Sequence, residues 1–210
     1  MPEIALCAQH HNGGISVDAW WQSSLEGLFA AGECAGTHGI SRPGGSALNA
    51  GQVGSLRAAQ YIAAHLRDAV SPAEFEDIIK GKTDCLRTFQ NLDARIAKAQ
   101  RRMSDCAAAV RDKNAIKQLL ADVTAELAEI GTEIHSAQPD CYKLRDILVT
   151  QAAVLTAMLD AETPDPSEVQ ETYLTAEGFC CSHRKVRPLP ENNDFFENIW
   201  RGYRQNKNIF

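Results

Sequence analysis

The 210-residue sequence contains no Gly-x-Gly-x-x-Gly, so the turn that seats a dinucleotide pyrophosphate between a strand and a helix is not encoded in these residues. Positive charge is also scarce: 21 Lys and Arg stand against 27 Asp and Glu, for a net charge of −6. Nucleic acids and anionic membranes both demand clustered positive charge, and the pair Arg101-Arg102 is too short to supply it. Long apolar runs are missing as well. No stretch reaches the roughly 18 consecutive apolar residues of a membrane-spanning helix, and no basic segment followed by an apolar core opens the chain. These absences predict a cytoplasmic protein with no nucleic-acid partner and no membrane span.

A disulfide framework is not evident either. The seven cysteines (Cys7, Cys34, Cys85, Cys106, Cys141, Cys180 and Cys181) form an odd set without regular spacing, which reads as reduced thiols. Cys180 and Cys181 lie close to His183, but adjacent cysteines lack the two-to-four residue spacing of zinc ligands, and no metal is expected.

What is present divides by composition. Residues 1–70 are glycine-rich and β-like, 71–162 are helical with few glycines, and 163–210 read as an irregular tail. In the first part, Ile4 to Cys7 and Gly14 to Val17 read as short strands. The apolar run Gly27-Leu28-Phe29-Ala30-Ala31 reads as a buried strand, being too short for a helix. A glycine-studded loop from Gly32 to Gly45 follows, then a helix from about Ser46 through Leu66. Beyond Pro72 the apolar residues recur at three and four. Leu86, Phe89, Ile96, Met103 and Val110 mark one stripe, and Ile116, Leu119, Leu120, Val123, Leu127, Ile130 and Ile134 mark a second. Leu144, Ile147, Leu148, Leu155 and Leu159 mark a third. They predict three helices, separated near Asp112-Lys113 and near Pro139, with core rather than a cofactor under the stripes. The Thr163-Pro164-Asp165-Pro166 segment stops the last helix.

Chemistry concentrates in Gly27-Leu28-Phe29-Ala30-Ala31-Gly32-Glu33-Cys34-Ala35-Gly36. An apolar strand running into a glycine and then a carboxylate puts an acceptor at the C-terminal end of a strand, where open α/β sheets bind ligands. Such a carboxylate can take hydrogen bonds from a polyol. Downstream lies Thr37-His38-Gly39-Ile40-Ser41-Arg42-Pro43-Gly44-Gly45-Ser46-Ala47-Leu48. Gly44 and Gly45 let backbone approach a flat ring, and the helix start near Ser46 aims unpaired amides and a partial positive charge at it.

Together, and at this separation, the two segments resemble fumarate reductase and succinate dehydrogenase flavoproteins, in which His-Gly-Ala-Asn-Arg-Leu-Gly-Gly-Asn-Ser-Leu follows the last strand of the FAD domain. The resemblance implies an α/β remnant of an FAD-binding domain (strands, glycine-rich loop, helix) followed by an α-helical bundle, α+β overall. Residues 1–70 become the C-terminal portion of that domain. It implies FAD as cofactor, with Glu33 on the ribityl chain and Gly32, Gly44, Gly45, Ser46, Ala47 and Leu48 around the flavin. Ala47 stands where the family has the serine of a Ser-Leu pair, which leaves backbone contacts. Arg42 matches the arginine that binds the substrate carboxylate, for which a planar guanidinium fork is suited. Upstream, Gln9-His10-His11-Asn12-Gly13-Gly14-Ile15 resembles the family's His-Tyr-Met-Met-Gly-Gly-Ile. Aligned on the glycines, Gln9 occupies the position of a substrate histidine; it can hydrogen-bond a carboxylate but carries no charge.

The expected activity is hydride transfer between flavin N5 and a carboxylate-bearing substrate. The N-terminal FAD-binding half, with the phosphate turn, is expected from the same polypeptide or a partner chain, and the 210 residues alone are expected to be inactive. The alternative is a non-catalytic helical interaction module on a degenerate flavoprotein fold.

Overall fold

The structure, a computed structural model, describes residues 12–39, 45–65, 72–83, 86–108, 110–131, 134–161, 165 and 167–186. A 3-10 turn at Gly32–Cys34 is followed by helices α1 (Ser46–Ala64), α2 (Pro72–Thr83), α3 (Leu92–Cys106), α4 (Lys113–Ile130) and α5 (Pro139–Asp160), then strands β1 (Glu168–Thr175) and β2 (Gly178–Lys185).

Helices α3, α4 and α5 pack together because their apolar residues fall at helical spacing. Cys141, Leu144, Leu148, Ala152 and Leu155 of α5 face Ile116, Leu119, Val123 and Ile130 of α4 and Leu92, Ile96 and Ala99 of α3 in one buried cluster. Local chemistry sets the helix limits. Asp112 caps α4 by accepting from the Ala115 amide at 2.7 Å, and the helix ends at Gly131, whose φ of 91° a side chain would resist. Pro139 opens α5 where an amide would have no partner anyway.

Between α3 and α4 the polar side is closed by charge. Glu126 receives Arg95 Nε at 3.0 Å and Arg102 Nη2 at 2.9 Å on its two oxygens. The chain entering α3 is held by the chain entering α5: Gln138 Oε1 accepts the Phe89 amide at 2.7 Å while Gln138 Nε2 donates to the Phe89 carbonyl at 3.1 Å. One side chain thus makes both bonds that a paired strand would make.

Residues 163–210 were expected to be irregular, yet within them β1 and β2 form an antiparallel hairpin, registered from Glu168 opposite Lys185 to Thr175 opposite Gly178. Tyr-, Phe- and Thr-containing alternation suits paired strands, and the hairpin lies on α5. Gln170 Nε2 donates to the Ala157 carbonyl and to Asp160 Oδ2, which also bonds His183 Nε2. The helical reading also left out α2, a fourth helix before the packed three, which exposes Phe75 and Ile79. Leu86 and Val110, placed on the first stripe, lie outside α3 and are exposed.

The N-terminal part departs from expectation in the opposite sense. Gly14–Val17 and Gly27–Ala31 make single bridges, Ile15 with Ala35 (parallel) and Gln22 with Phe29 (antiparallel), not strands. A strand needs a neighbour along its length to bond its amides, and none lies beside these runs among the described residues. The run Gly27–Ala31 is only partly covered: Ala30 is buried, but Leu28 is 51% exposed. The proposed strand at Ile4 to Cys7 lies outside the described residues. Helix α1 forms as expected but buries only Gly54 and Ala58. No described helix is long and apolar enough to cross a membrane.

Candidate functional site

Backbone contact builds the site. The Ile15 amide donates to the Cys34 carbonyl at 2.8 Å, and the Gly36 amide donates back to the Ile15 carbonyl at 2.9 Å. Gly14 permits this approach, since a Cβ there would stand 2.5 Å from the Cys34 oxygen. Extended backbone at Ala31 leads into Gly32 at φ 79°, and the 3-10 turn closes with the Ala35 amide on the Gly32 carbonyl at 3.2 Å. Glu33, on this turn, projects from an exposed position.

Helix α1 lies against the same turn. A Cβ on Gly51 would meet the Gly32 Cα at 3.5 Å, ordinary contact. Ser46 is five residues N-terminal to Gly51, roughly 7.5 Å along the axis. Gly45 precedes the helix at φ 84°, has no side chain to satisfy the first amides, and has open space where its Cβ would be. Ser46 and Ala47 are half-buried, Leu48 is exposed, and His38 is buried. The structure thus brings Gly32 and Glu33 onto α1, the helix that Gly45, Ser46, Ala47 and Leu48 begin. Gln9, Arg42 and Gly44 lie outside the described residues.

This arrangement fits FAD chemically. Glu33 is an exposed carboxylate, a group able to accept hydrogen bonds from hydroxyls. Gly32 and Gly45, both left-handed with empty space at the Cβ position, leave room for a ligand beside the backbone. Gly45 gives α1 no side-chain cap, and the N-terminus of a helix favours negative charge.

One cluster escaped the sequence reading. The Arg57 guanidinium carbon lies over the rings of Trp20 and Trp21, at 4.9 and 5.5 Å from their centroids. Burial pushes the Arg57 pKa down, partly offset by the charge of Asp18. The available signals were a Trp-Trp pair in a chain with three tryptophans and a single arginine in an Ala/Gly-rich helix. Neither signal shows in a periodicity. Among the described residues no cluster of His, Cys, Asp and Glu could hold a metal ion, and the five described cysteines are free thiols.

A turn carrying a carboxylate is thus packed by glycines against helix α1, which no side chain of its N-cap residue caps. Comparison with known proteins makes this specific. Residues 3–48 match the FAD binding domain family. The chain is 28% identical over 188 residues to a fumarate reductase (CoM/CoB) subunit from Methanothermobacter marburgensis, covering 81% of this chain and 34% of that protein. It is 30% identical over 165 residues to L-aspartate oxidase of Caulobacter vibrioides, covering 77% of this chain and 28% of the oxidase. Its fold is similar to Mycobacterium smegmatis Sdh1, solved in complex with UQ1, with a TM-score of 0.56 at 20% identity, over 92% of this chain and 38% of the other. Residues 3–48 are thus similar to an FAD-binding domain, and the chain is similar to flavoproteins of the fumarate reductase and L-aspartate oxidase kind, whose cofactor is FAD. It spans about a third of the length of the curated relatives it matches.

Proposed function

We propose that this chain is the C-terminal part of a cytoplasmic FAD-dependent oxidoreductase that moves a hydride between flavin N5 and a small carboxylate-bearing substrate. The observation that carries the reading is the exposed Glu33 on a glycine turn packed against α1, inside the matched residues 3–48. FAD supplies the electron-accepting chemistry when bound. The chain's own residues would hold and orient: Glu33 accepts from the ribityl hydroxyls, Gly32, Gly44 and Gly45 admit the ring, and Ser46, Ala47 and Leu48 present backbone to it. Arg42 would clamp the substrate carboxylate, with Gln9 adding a neutral hydrogen bond.

The phosphate-binding half would come from a further stretch of polypeptide, in the same chain or a partner. Two facts support this: the short span relative to the relatives, and the exposure of Leu25, Leu28, Leu48, Val53 and Leu56, apolar residues that a neighbouring domain would cover. In this reading residues 1–70 complete the FAD domain while 71–162 and the following segment form its helical companion. The 210-residue chain alone is then colourless and inactive.

Two variants of the complete, flavin-loaded protein test the reading. Arg42→Ala should retain FAD and lose about 2–4 kcal/mol of transition-state stabilisation, measured as kcat/KM. Arg42→Lys should keep charge, lose the bidentate fork, and fall between. Glu33→Ala should lose flavin itself, seen in the visible spectrum. Full activity of Arg42→Ala with every carboxylate tried would remove Arg42 from the site, and stoichiometric flavin in Glu33→Ala would remove Glu33.

A further inference from the structure

We propose that Trp20, Trp21 and Arg57 form a positioning clamp that sets the Glu33 turn against α1, and so fixes where the cofactor's ribityl chain and ring are received. The inference rests on the FAD reading of that turn.

The clamp is continuous from helix to carboxylate. Asp18 Oδ1 accepts the amides of Trp20 at 2.7 Å and Gln22 at 3.0 Å, which holds the loop around the two tryptophans. The Trp21 carbonyl accepts the Ala30 amide at 3.0 Å, two residues before Gly32. The Trp21 side chain fills the space beside Gly54 of α1 so completely that a Cβ there would stand 2.3 Å from the indole Nε1. Gly54 follows Gly51, the residue lying against Gly32, by three positions, so both contacts fall on one face of the helix. Arg57 comes one turn later and lies over both indoles. Tyr61 extends the same face, its ring 5.8 Å from those of Trp20 and Phe29. Phe29 itself belongs to the run that leads into the turn.

Two features of this cluster work against stability, and it stands apart from the main core. Trp21 has φ 64°, a left-handed conformation that a bulky residue resists. Arg57 Nε and Nη2, and Trp21 Nε1, are buried without an acceptor. The largest apolar core lies elsewhere, on α3 to α5. Strain and orphaned donors persist where the surrounding structure requires one geometry, characteristically at ligand sites, and here they stand two residues by hydrogen bond from the cofactor turn.

The test uses Gly54→Ala, which drives a methyl into the indole, and Trp21→Phe, which keeps a ring in the same place. In the complete protein the FAD dissociation constant and the flavin midpoint potential are measured, with helical circular dichroism as the control for folding. Gly54→Ala should weaken FAD binding about tenfold or more and shift the potential, while Trp21→Phe should fall between it and the parent. An FAD affinity within about twofold of the parent and an unshifted potential in both variants, with helices intact, would overturn the clamp. Should Gly54→Ala fail to fold, Trp21→Phe alone decides by the same criterion. If the parent itself takes up no flavin, the cofactor reading has failed. The clamp is then judged on the 210-residue chain by amide exchange at Ala30 and Ala35: faster exchange in Gly54→Ala supports it, and unchanged exchange overturns it.

Discussion

The described residues before His65 and those after Leu86 are stabilised in different ways. Helices α3, α4 and α5 and the hairpin bury Leu144, Leu148, Leu155, Val123 and Ile130 completely, whereas α1 buries a glycine and an alanine and exposes Leu48, Val53, Leu56 and Ile62. One region finishes its own core; the other joins backbone to backbone through Gly14 and Gly36 and leaves an apolar surface uncovered. Chain length does not separate them. The difference is whether each element finds its partner within these residues, and it implies that the helical region folds by itself while the glycine-rich region reaches full stability only when covered.

The strongest challenge to this contrast is Leu148→Ala. It empties a fully buried site on α5 and should destabilise the helical region by about 2–5 kcal/mol in denaturant melts followed by circular dichroism. If amides near Ile15 and Ala35 lose their protection in step with those of α5, the two regions are one cooperative unit and the contrast fails. Glu126→Ala should come next. It strips the acceptor from Arg95 and Arg102 in a mostly covered position and should cost about 2–3 kcal/mol, again in the helical region only. Asp112→Ala removes the α4 cap and should cost about 1 kcal/mol by the same measurement.

The smallest effect sharpens the join between the regions. Ser16 Oγ donates to Glu171 Oε1 at 3.1 Å, and Arg184 Nε reaches the same oxygen at 2.9 Å. Arg184 foremost, with help from Ser16 and against the cost of burial, holds the Glu171 carboxyl below the usual glutamate range. Because the folded state favours the ionised form, this stabilisation is fully present above the unfolded value of about 4.3 and fades as pH falls through the lower folded value. Glu171→Gln should flatten that acid limb of a pH–stability curve by lowering stability slightly at neutral pH, with the variant and parent curves converging as pH falls below the folded value.

Much of the helical region could be read in advance because its signal is local. Leu144, Leu148 and Leu155 lie at spacings that only a helix puts on one face, and Asp112 and Pro139 mark the breaks. The Glu33 turn was legible for a similar reason: an apolar run, a glycine and a carboxylate lie consecutively. The hairpin was not, since β1 carries Glu168, Gln170 and Glu171 and reads as polar loop until α5 is there to receive Gln170. Nor was the Trp21–Gly54 contact, which joins residues 33 apart with no shared period. The strands expected at Gly14–Val17 and Gly27–Ala31 show the converse. Their sequences favour extension, but pairing along their length requires neighbours outside the described residues.

Gln138 carries a consequence for how the molecule assembles. It holds both backbone groups of Phe89 across a separation of 49 residues, so the approach to α3 reaches its final position only after α4 has been spanned and the entry to α5 has arrived. Closing a loop of that length has an entropic cost that only the finished contacts repay. The chain entering the first of the three packed helices is thus latched by a side-chain amide that stands beyond α4, its neighbour in sequence, at the entry to α5.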